Sequence, residues 1–278
     1  HNMIYRRARI CNPLSEDMID SGVPNSSVWS AIGWDGGSCL MSPDLHFERM
    51  IRHAEKLGLE CPPDLPDRVF SKLEGVSPPE ERNECSDQDP FLLIVKLTSG
   101  GEVILEGSIN RIWPESPLSA ISLGAPVWDD GIRGTKHGDY QPYRDAREAA
   151  ISNGADIGLL FEDGNLIDGD RCAPLLLDSD GVAYHPRHSD GALDSVSLQV
   201  IKPFLENSGI PVRGAKITLG MITRCSEMIV CGSGMGIKSL GKIDGRKIGN
   251  PRGRLYKVAS EGWSKRLSVS KENGWRGS

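Results

Sequence analysis

The sequence has no apolar run approaching the length of about 18 residues that a spanning helix needs, so no membrane segment is expected. It has no Cys-x-x-Cys pair, and its seven cysteines, at 11, 39, 61, 85, 172, 225 and 231, are odd in number. A disulfide framework or structural zinc site is therefore not expected, and a reducing cytoplasm is the expected setting. His-Glu-x-x-His is absent and the six histidines are scattered, so no metal centre is expected. No Gly-x-Ser-x-Gly elbow for a serine nucleophile occurs either. Positive charge is not in excess: 32 Lys and Arg against 38 Asp and Glu leave −6. That argues against general nucleic-acid binding but leaves room for a small anion held by a few local cations. The opening His1-Asn2-Met3 has no basic region leading into an apolar stretch, so no secretion signal is expected there and Met3 reads as the natural start. Internal repeats and low-complexity tracts are missing as well.

What remains is an ordinary globular composition: 278 residues, 38% hydrophobic and 25% charged, enough for one large or two medium domains. A helix is expected over 43–57, capped by Ser42, opened by Pro43 and stopped by Gly58, with Phe47, Met50, Ile51, Ala54 and Leu57 as its apolar stripe. Strand pairs are expected around Trp34-Asp35-Gly36-Gly37, Ser99-Gly100-Gly101, Glu162-Asp163-Gly164 and 178–181. The stretch 61–89 reads as loop with one short helix near 68–73. Helices are expected over 142–152 and 196–205, the latter kinked or ended by Pro203. Residues 121–134 carry four glycines or prolines and read as a connector. The expected organisation is an N-terminal α/β domain over 3–120, the connector, and a C-terminal α/β domain over 135–278, with a loosely ordered tail beyond the first turn after Trp263. The fold class is α/β or α+β with mixed sheets.

One glycine-rich turn, Gly232-Ser233-Gly234-Met235-Gly236, follows an apolar strand. A dinucleotide site would need a helix directly after it, and 237–247, with Gly241 and Gly245, does not read as one. A turn whose amides face an anion is the better reading, with a plain loop the bland alternative. Lys136, in Gly134-Thr135-Lys136-His137-Gly138-Asp139-Tyr140, is followed in order by Gly154-Ala155-Asp156, Gly164-x-Leu166-Ile167-Asp168-Gly169, Leu175-Leu176-Leu177, Asp180-Gly181 and His185-Pro186. Upstream lies Leu45-His46-x-x-Arg49. Downstream lie Leu193-Asp194-Ser195-Val196-Ser197, then 227–233 and Ile243-Asp244-Gly245-Arg246-x-Ile248-Gly249.

This ordered series resembles the class IV aminotransferases, the fold-type IV pyridoxal-phosphate enzymes, which include branched-chain and D-amino-acid aminotransferases and aminodeoxychorismate lyase. The resemblance implies a two-domain α/β fold with mixed sheets and pyridoxal 5'-phosphate in the interdomain cleft. It implies Lys136 as the catalytic residue, forming a Schiff base with the cofactor's aldehyde and then carrying a proton. Asp168 stands where the family has a glutamate facing the ring nitrogen. It is one methylene shorter, so the ring must sit closer or a water must bridge. Arg49, the first-turn amides of Val196 and Ser197, Gly232 and Ser233 are the implied phosphate donors, and Tyr140 the implied partner of the phenolic oxygen. Ordinary capping or turn roles for the serines, and packing for the tyrosine, stay open. An amino donor, a 2-oxo acid acceptor and a homodimer are implied partners.

The sequence also departs from the family pattern. Asp139 replaces asparagine, Val28-Trp29-Ser30-Ala31 replaces Val-Phe-Glu-Thr with the aspartate-arginine-glycine lead-in absent, and Cys172-Ala173-Pro174 replaces an asparagine-containing turn. These departures point to an unusual substrate or to lost activity. Substrate specificity is expected to reside in loops around 29–34 and 113–128. The expected function is amino transfer, with a pyridoxal-dependent lyase, a non-catalytic pyridoxal-binding homologue and a nucleotide-binding module as competitors.

Overall fold

Proline at the first helical position and Gly58 beyond the last bracket the helix α1 (Pro43–Leu57). It is seen in a computed structural model that describes residues 19–79, 90–110, 113–114, 117–266 and 268–270. Ser42 does not cap it: its φ is 49° and its side chain accepts no bond from the first turn. Ile51 is not part of the buried stripe either, being 41% exposed. At about 100° per residue, Arg49, His53, His46, Leu57, Met50, Ala54 and Phe47 fall on one arc of about 160°, and Ile51 lies about 40° past its edge. Three polar residues, His46, Arg49 and His53, thus occupy buried positions of this helix.

The first sheet is antiparallel, in the order β15–β2–β1–β3–β4, with β1 (Ser27–Trp34), β2 (Cys39–Met41), β3 (Phe91–Thr98), β4 (Val103–Ser108) and β15 (Ser268–Ser270). The two expected hairpins are present, Trp34 pairing Leu40 and Leu97 pairing Val103. Val28, Ile32, Trp34, Leu93, Val95 and Leu97 of this sheet pack with Phe47, Met50, Ala54 and Leu57 of α1 and with Val69 and Phe70 of α2 (Leu65–Leu73). Residues 268–270, expected to be loose, pair with β2 instead. Residues 80–89 of the expected loop lie outside the described residues, as do 271–278 of the tail.

The second sheet runs β10–β9–β8–β12–β13–β5–β6–β7–β11, with β14 (Arg246–Lys247) paired to β13 (Gly236–Ile243). Its other strands are β5 (Leu118–Gly124), β6 (Ile157–Glu162), β7 (Asn165–Gly169), β8 (Ala173–Leu177), β9 (Ala183–Pro186), β10 (Val212–Ala215), β11 (Ile217–Thr218) and β12 (Glu227–Gly232). It is mixed, with parallel pairs at β5–β6, β5–β13 and β9–β10. Both faces are covered. Leu176, Met228 and Val230 enter one core cluster. Their neighbours Leu175, Leu177, Ile229 and Cys231 enter another with α4 (Val196–Asn207) and α6 (Arg254–Ser264). Successive side chains point to opposite faces, so strands buried on both read as continuous apolar runs.

Two expectations need correction, the extent of the connector and the end of α4, while 237–247 is free of helix as expected. Residues 121–124 are the end of β5 and not connector, because their hydrogen bonds go to β6. The irregular backbone begins at 125 and continues to α3 (Gln141–Ser152). Residues 237–247 form the β13–β14 hairpin, turning at Asp244-Gly245. Pro203 does not end α4, since burial of Leu198, Ile201 and Leu205 along that helix outweighs one missing hydrogen bond. The short α5 (Leu219–Arg224) had no counterpart in the sequence reading. Among the described residues, no helix is long and apolar enough to cross a membrane.

Glu227 has a structural duty. It is 2% exposed, and its carboxylate accepts the Leu255 and Tyr256 N–H groups of the first turn of α6, both at 2.8 Å. A Cβ at Gly253 would lie 2.5 Å from Glu227 Oε2, so glycine is needed for this approach. Glu227→Ala would strand two buried donors and should lower stability by about 2–4 kcal/mol, read as the shift in a urea unfolding curve.

Candidate active site

Lys136 lies in the irregular stretch between β5 and α3, and its backbone is tied from two sides. Trp29 N–H donates to Lys136 O at 3.1 Å, Trp29 Nε1–H donates to His137 O at 3.2 Å, and Val28 forms a bridge with His137. These bonds come from β1, so the lysine segment of one half is stitched to the first sheet of the other. The Lys136 N–H donates to His53 Nδ1 at 3.1 Å. The side chain reaches into a cavity of about 250 Å³ lined from both halves. There Nζ donates to Tyr140 Oη at 3.2 Å and stands 3.8 Å from the centroid of the Trp29 ring.

All eight residues singled out from the sequence line this one cavity: Arg49, Lys136, Tyr140, Asp168, Val196, Ser197, Gly232 and Ser233. Each is delivered by a local rule. Asp168 ends β7 before a tight turn in which a Cβ at Gly169 would stand 2.7 Å from Cys172 O. Asp168 Oδ1 accepts the Gly169 N–H at 2.9 Å, and Oδ2 accepts the Leu193 N–H at 3.2 Å. Ser195 caps α4 by accepting from Leu198 N–H at 3.3 Å. The amides of Val196 and Ser197 stay in the first turn, where no intrahelical acceptor exists for them. Gly232 and Ser233 form the β12–β13 turn, in which Gly232 pairs with Gly236 and no helix follows.

Arg49 is 4% exposed; its Nη2 donates to Ser30 Oγ at 2.7 Å and its Nη1 to Asp194 O at 3.4 Å. Its Nε has no hydrogen-bond partner among the described residues. His46 joins this end: Nδ1 lies 2.8 Å from Ser30 Oγ and Nε2 3.5 Å from Ser233 Oγ. Burial, with Arg49 and Lys136 nearby, keeps its imidazole neutral. A buried donor without a partner, first-turn amides and two serines make a seat for an anion.

The electrostatics of the centre follow from desolvation. Burial, reinforced by Arg49 and partly offset by Asp168, brings the Lys136 amine down to about 7. Burial raises the Asp168 carboxyl to about 7 against the pull of the Gly169 and Leu193 amides and of Lys136. Burial also pushes the Tyr140 hydroxyl well above its usual range. A lysine near half protonation facing a carboxylate is suited to both imine formation and proton transfer.

The sequence reading missed several contributors. Trp113, Tyr143, Arg144, Arg147 and Arg171 line the same cavity. Arg171 stacks 4.9 Å from the Trp113 ring centroid and faces the buried Asp170 at 3.5 Å. The spacing of Arg144 and Arg147, three residues apart on one helical face, is the one signal that could have pointed to them. Trp34, inside the expected specificity region 29–34, is fully buried core.

Residues 124–243 match the family model of amino-transferase class IV. No curated protein matches the chain. A fold IV-transaminase from Curtobacterium pusillum is similar at a TM-score of 0.73 and 18% identity, covering 96% of this chain and 93% of that one. A protein assigned provisionally as a 4-amino-4-deoxychorismate lyase, from Legionella pneumophila, gives 0.70 and 16%, covering 84% and 88%. The branched-chain aminotransferase of the thermophilic archaeon Thermoproteus uzoniensis, solved with norvaline, gives 0.68 and 19%, covering 86% and 84%. The described fold is therefore that of fold-type IV enzymes.

In the chain without added ligands, reductive methylation of Lys136 followed by mass spectrometry should show a pH midpoint near 7. Asp168 favours the charged amine, so Asp168→Asn should move the midpoint down; a midpoint near 10 in both would mean a solvated lysine.

Proposed function

We propose that the chain is a pyridoxal-phosphate-dependent aminotransferase moving an amino group between a carboxylate-bearing amino acid or amine and a 2-oxo acid. The observation that carries this reading is the buried Lys136 amine, brought down to about 7, in one cavity with Asp168 and an anion seat. The residues present fit the cofactor. The partnerless Arg49 Nε, the amides of Val196 and Ser197, and Ser233 suit its phosphate, and Asp168 suits its ring nitrogen. When bound, pyridoxal phosphate supplies an aldehyde that captures amines and a ring that accepts electron density from the substrate.

This chain's own residues then divide the work. Lys136 would hold the cofactor's aldehyde and would take and return a proton at Nζ. Tyr140 orients that amine through its 3.2 Å hydrogen bond. Trp29, Trp113 and Tyr143 exclude water from the walls, and Arg147 supplies positive charge for a substrate carboxylate, with Arg144 and Arg171 beside it paired to Asp20 and Asp170. A lyase of the aminodeoxychorismate type is the second reading, favoured by the likeness to the Legionella structure. The two differ in which substrate bond is held perpendicular to the ring.

A stopped-flow screen of amino donors on the cofactor-loaded chain tests this. Amino transfer bleaches the yellow band in a donor-dependent way, and a 2-oxo acid restores it; pyruvate release with an unchanged band indicates the lyase. Silence toward every amine would overturn both readings. Lys136→Ala should lower the rate by about 10²-fold or more. Arg147→Ala should raise KM for a carboxylate donor about tenfold with a smaller change in kcat, the loss of one charge-assisted contact.

A further inference from the structure

The segment 193–195 follows β9 and opens α4, and its Asp194 has a partner in α1. His53 Nε2 lies 2.8 Å from Asp194 Oδ1, while His53 Nδ1 accepts the Lys136 N–H at 3.1 Å. An acceptor role at Nδ1 places the ring proton on Nε2, which therefore donates to Asp194. The second carboxylate oxygen accepts from Arg52 Nη2 at 2.7 Å, and the Asp194 carbonyl accepts from Arg49 Nη1 at 3.4 Å. Leu193 N–H holds Asp168, and Ser195 caps α4. One three-residue segment thus touches the lysine backbone through His53, the anion-seat arginine, the acidic side chain and the amide-bearing helix end.

We propose that His53 and Asp194 are positioning residues that fix the backbone of Lys136 against the 193–197 segment, so that the lysine amine moves from a rigid base. A purely structural role explains the pair less well. His53 is 5% exposed and the Asp194 side chain 18%, and a largely buried polar pair at a helix–loop contact is often no more stabilising than apolar residues of similar volume. The charged groups around His53 are Arg49 and Arg52 on its own helix, Asp194 on the facing segment, and Lys136 and His137 on the lysine stretch. Burial keeps the imidazole neutral, and the bonds from His53 and Arg52 outweigh burial to hold the Asp194 carboxyl at about 2. The chain of bonds is therefore in its working charge state across the neutral range. The proposal rests on the functional reading only in taking Lys136 as the anchor.

The test uses the full chain without cofactor, so its outcome is separate from whether pyridoxal phosphate binds. His53→Gln keeps a donor toward Asp194 but loses the acceptor for Lys136; His53→Asn keeps that acceptor; Asp194→Ala removes the orienting anion. Two signals are read in each: hydrogen exchange at the Lys136 amide and the pH midpoint of Lys136 methylation. In His53→Gln and Asp194→Ala the amide should exchange about tenfold faster or more, and the midpoint should rise by about one unit as the amine regains water. His53→Asn, which keeps the acceptor for Lys136 but loses the donor to Asp194, should change clearly less than His53→Gln in both. If His53→Gln and Asp194→Ala lower the unfolding temperature yet leave both signals at the parent values, or if His53→Asn changes as much as His53→Gln, the pair is structural only and the proposal fails. If one variant does not fold, the other decides alone.

Discussion

A cationic side chain withdrawn from water is the constraint around which this molecule is organised. Desolvation disfavours the charged form of a lysine, and nothing in the cavity fully compensates Lys136: Arg49 opposes its charge and Asp168 only partly supports it. A chain selected for stability alone would place an apolar residue there. The surrounding bonds instead hold the amine in place. Trp29 takes the carbonyl, His53 takes the amide, and Tyr140 and the Trp29 ring take the ammonium head.

The fold serves that placement. The first sheet contributes Trp29 and, through α1, the polar face of His46, Arg49 and His53. The second sheet contributes Asp168 at the end of β7, the Gly232–Ser233 turn and the start of α4. Neither half closes the cavity alone. The bonds between β1 and residues 136–137 connect the two where the chemistry is expected, so packing in each half bears on the geometry of the same amine.

Much of this could be read from the residue order. The boundaries of α1 were legible because Pro43 and Gly58 impose local backbone geometry, and the hairpins because Gly and Asp at their turns do the same. The eight cavity residues were legible through the ordered series of motifs that resembles the class IV aminotransferases, not through any one local signal. Other features depend on contacts distant in the chain. β5 was merged into a connector because its partners, β6 and β13, come later in the sequence. Ile51 looks equivalent to Met50 until the buried arc of α1 is rotated toward the polar face. His53 and Asp194 lie 141 residues apart, and no spacing rule joins them. The arginine wall was missed for the same reason, since Arg171 and Trp113 meet only when the strands are assembled.

The most direct measurement is borohydride reduction of the chain incubated with pyridoxal phosphate, followed by peptide mapping. The reduced cofactor should sit on one residue, Lys136, with attachment lost in Lys136→Ala and weakened in Asp168→Asn. Cofactor distributed over several exposed lysines, or none retained, would contradict the placement of a buried, reactive amine at this position.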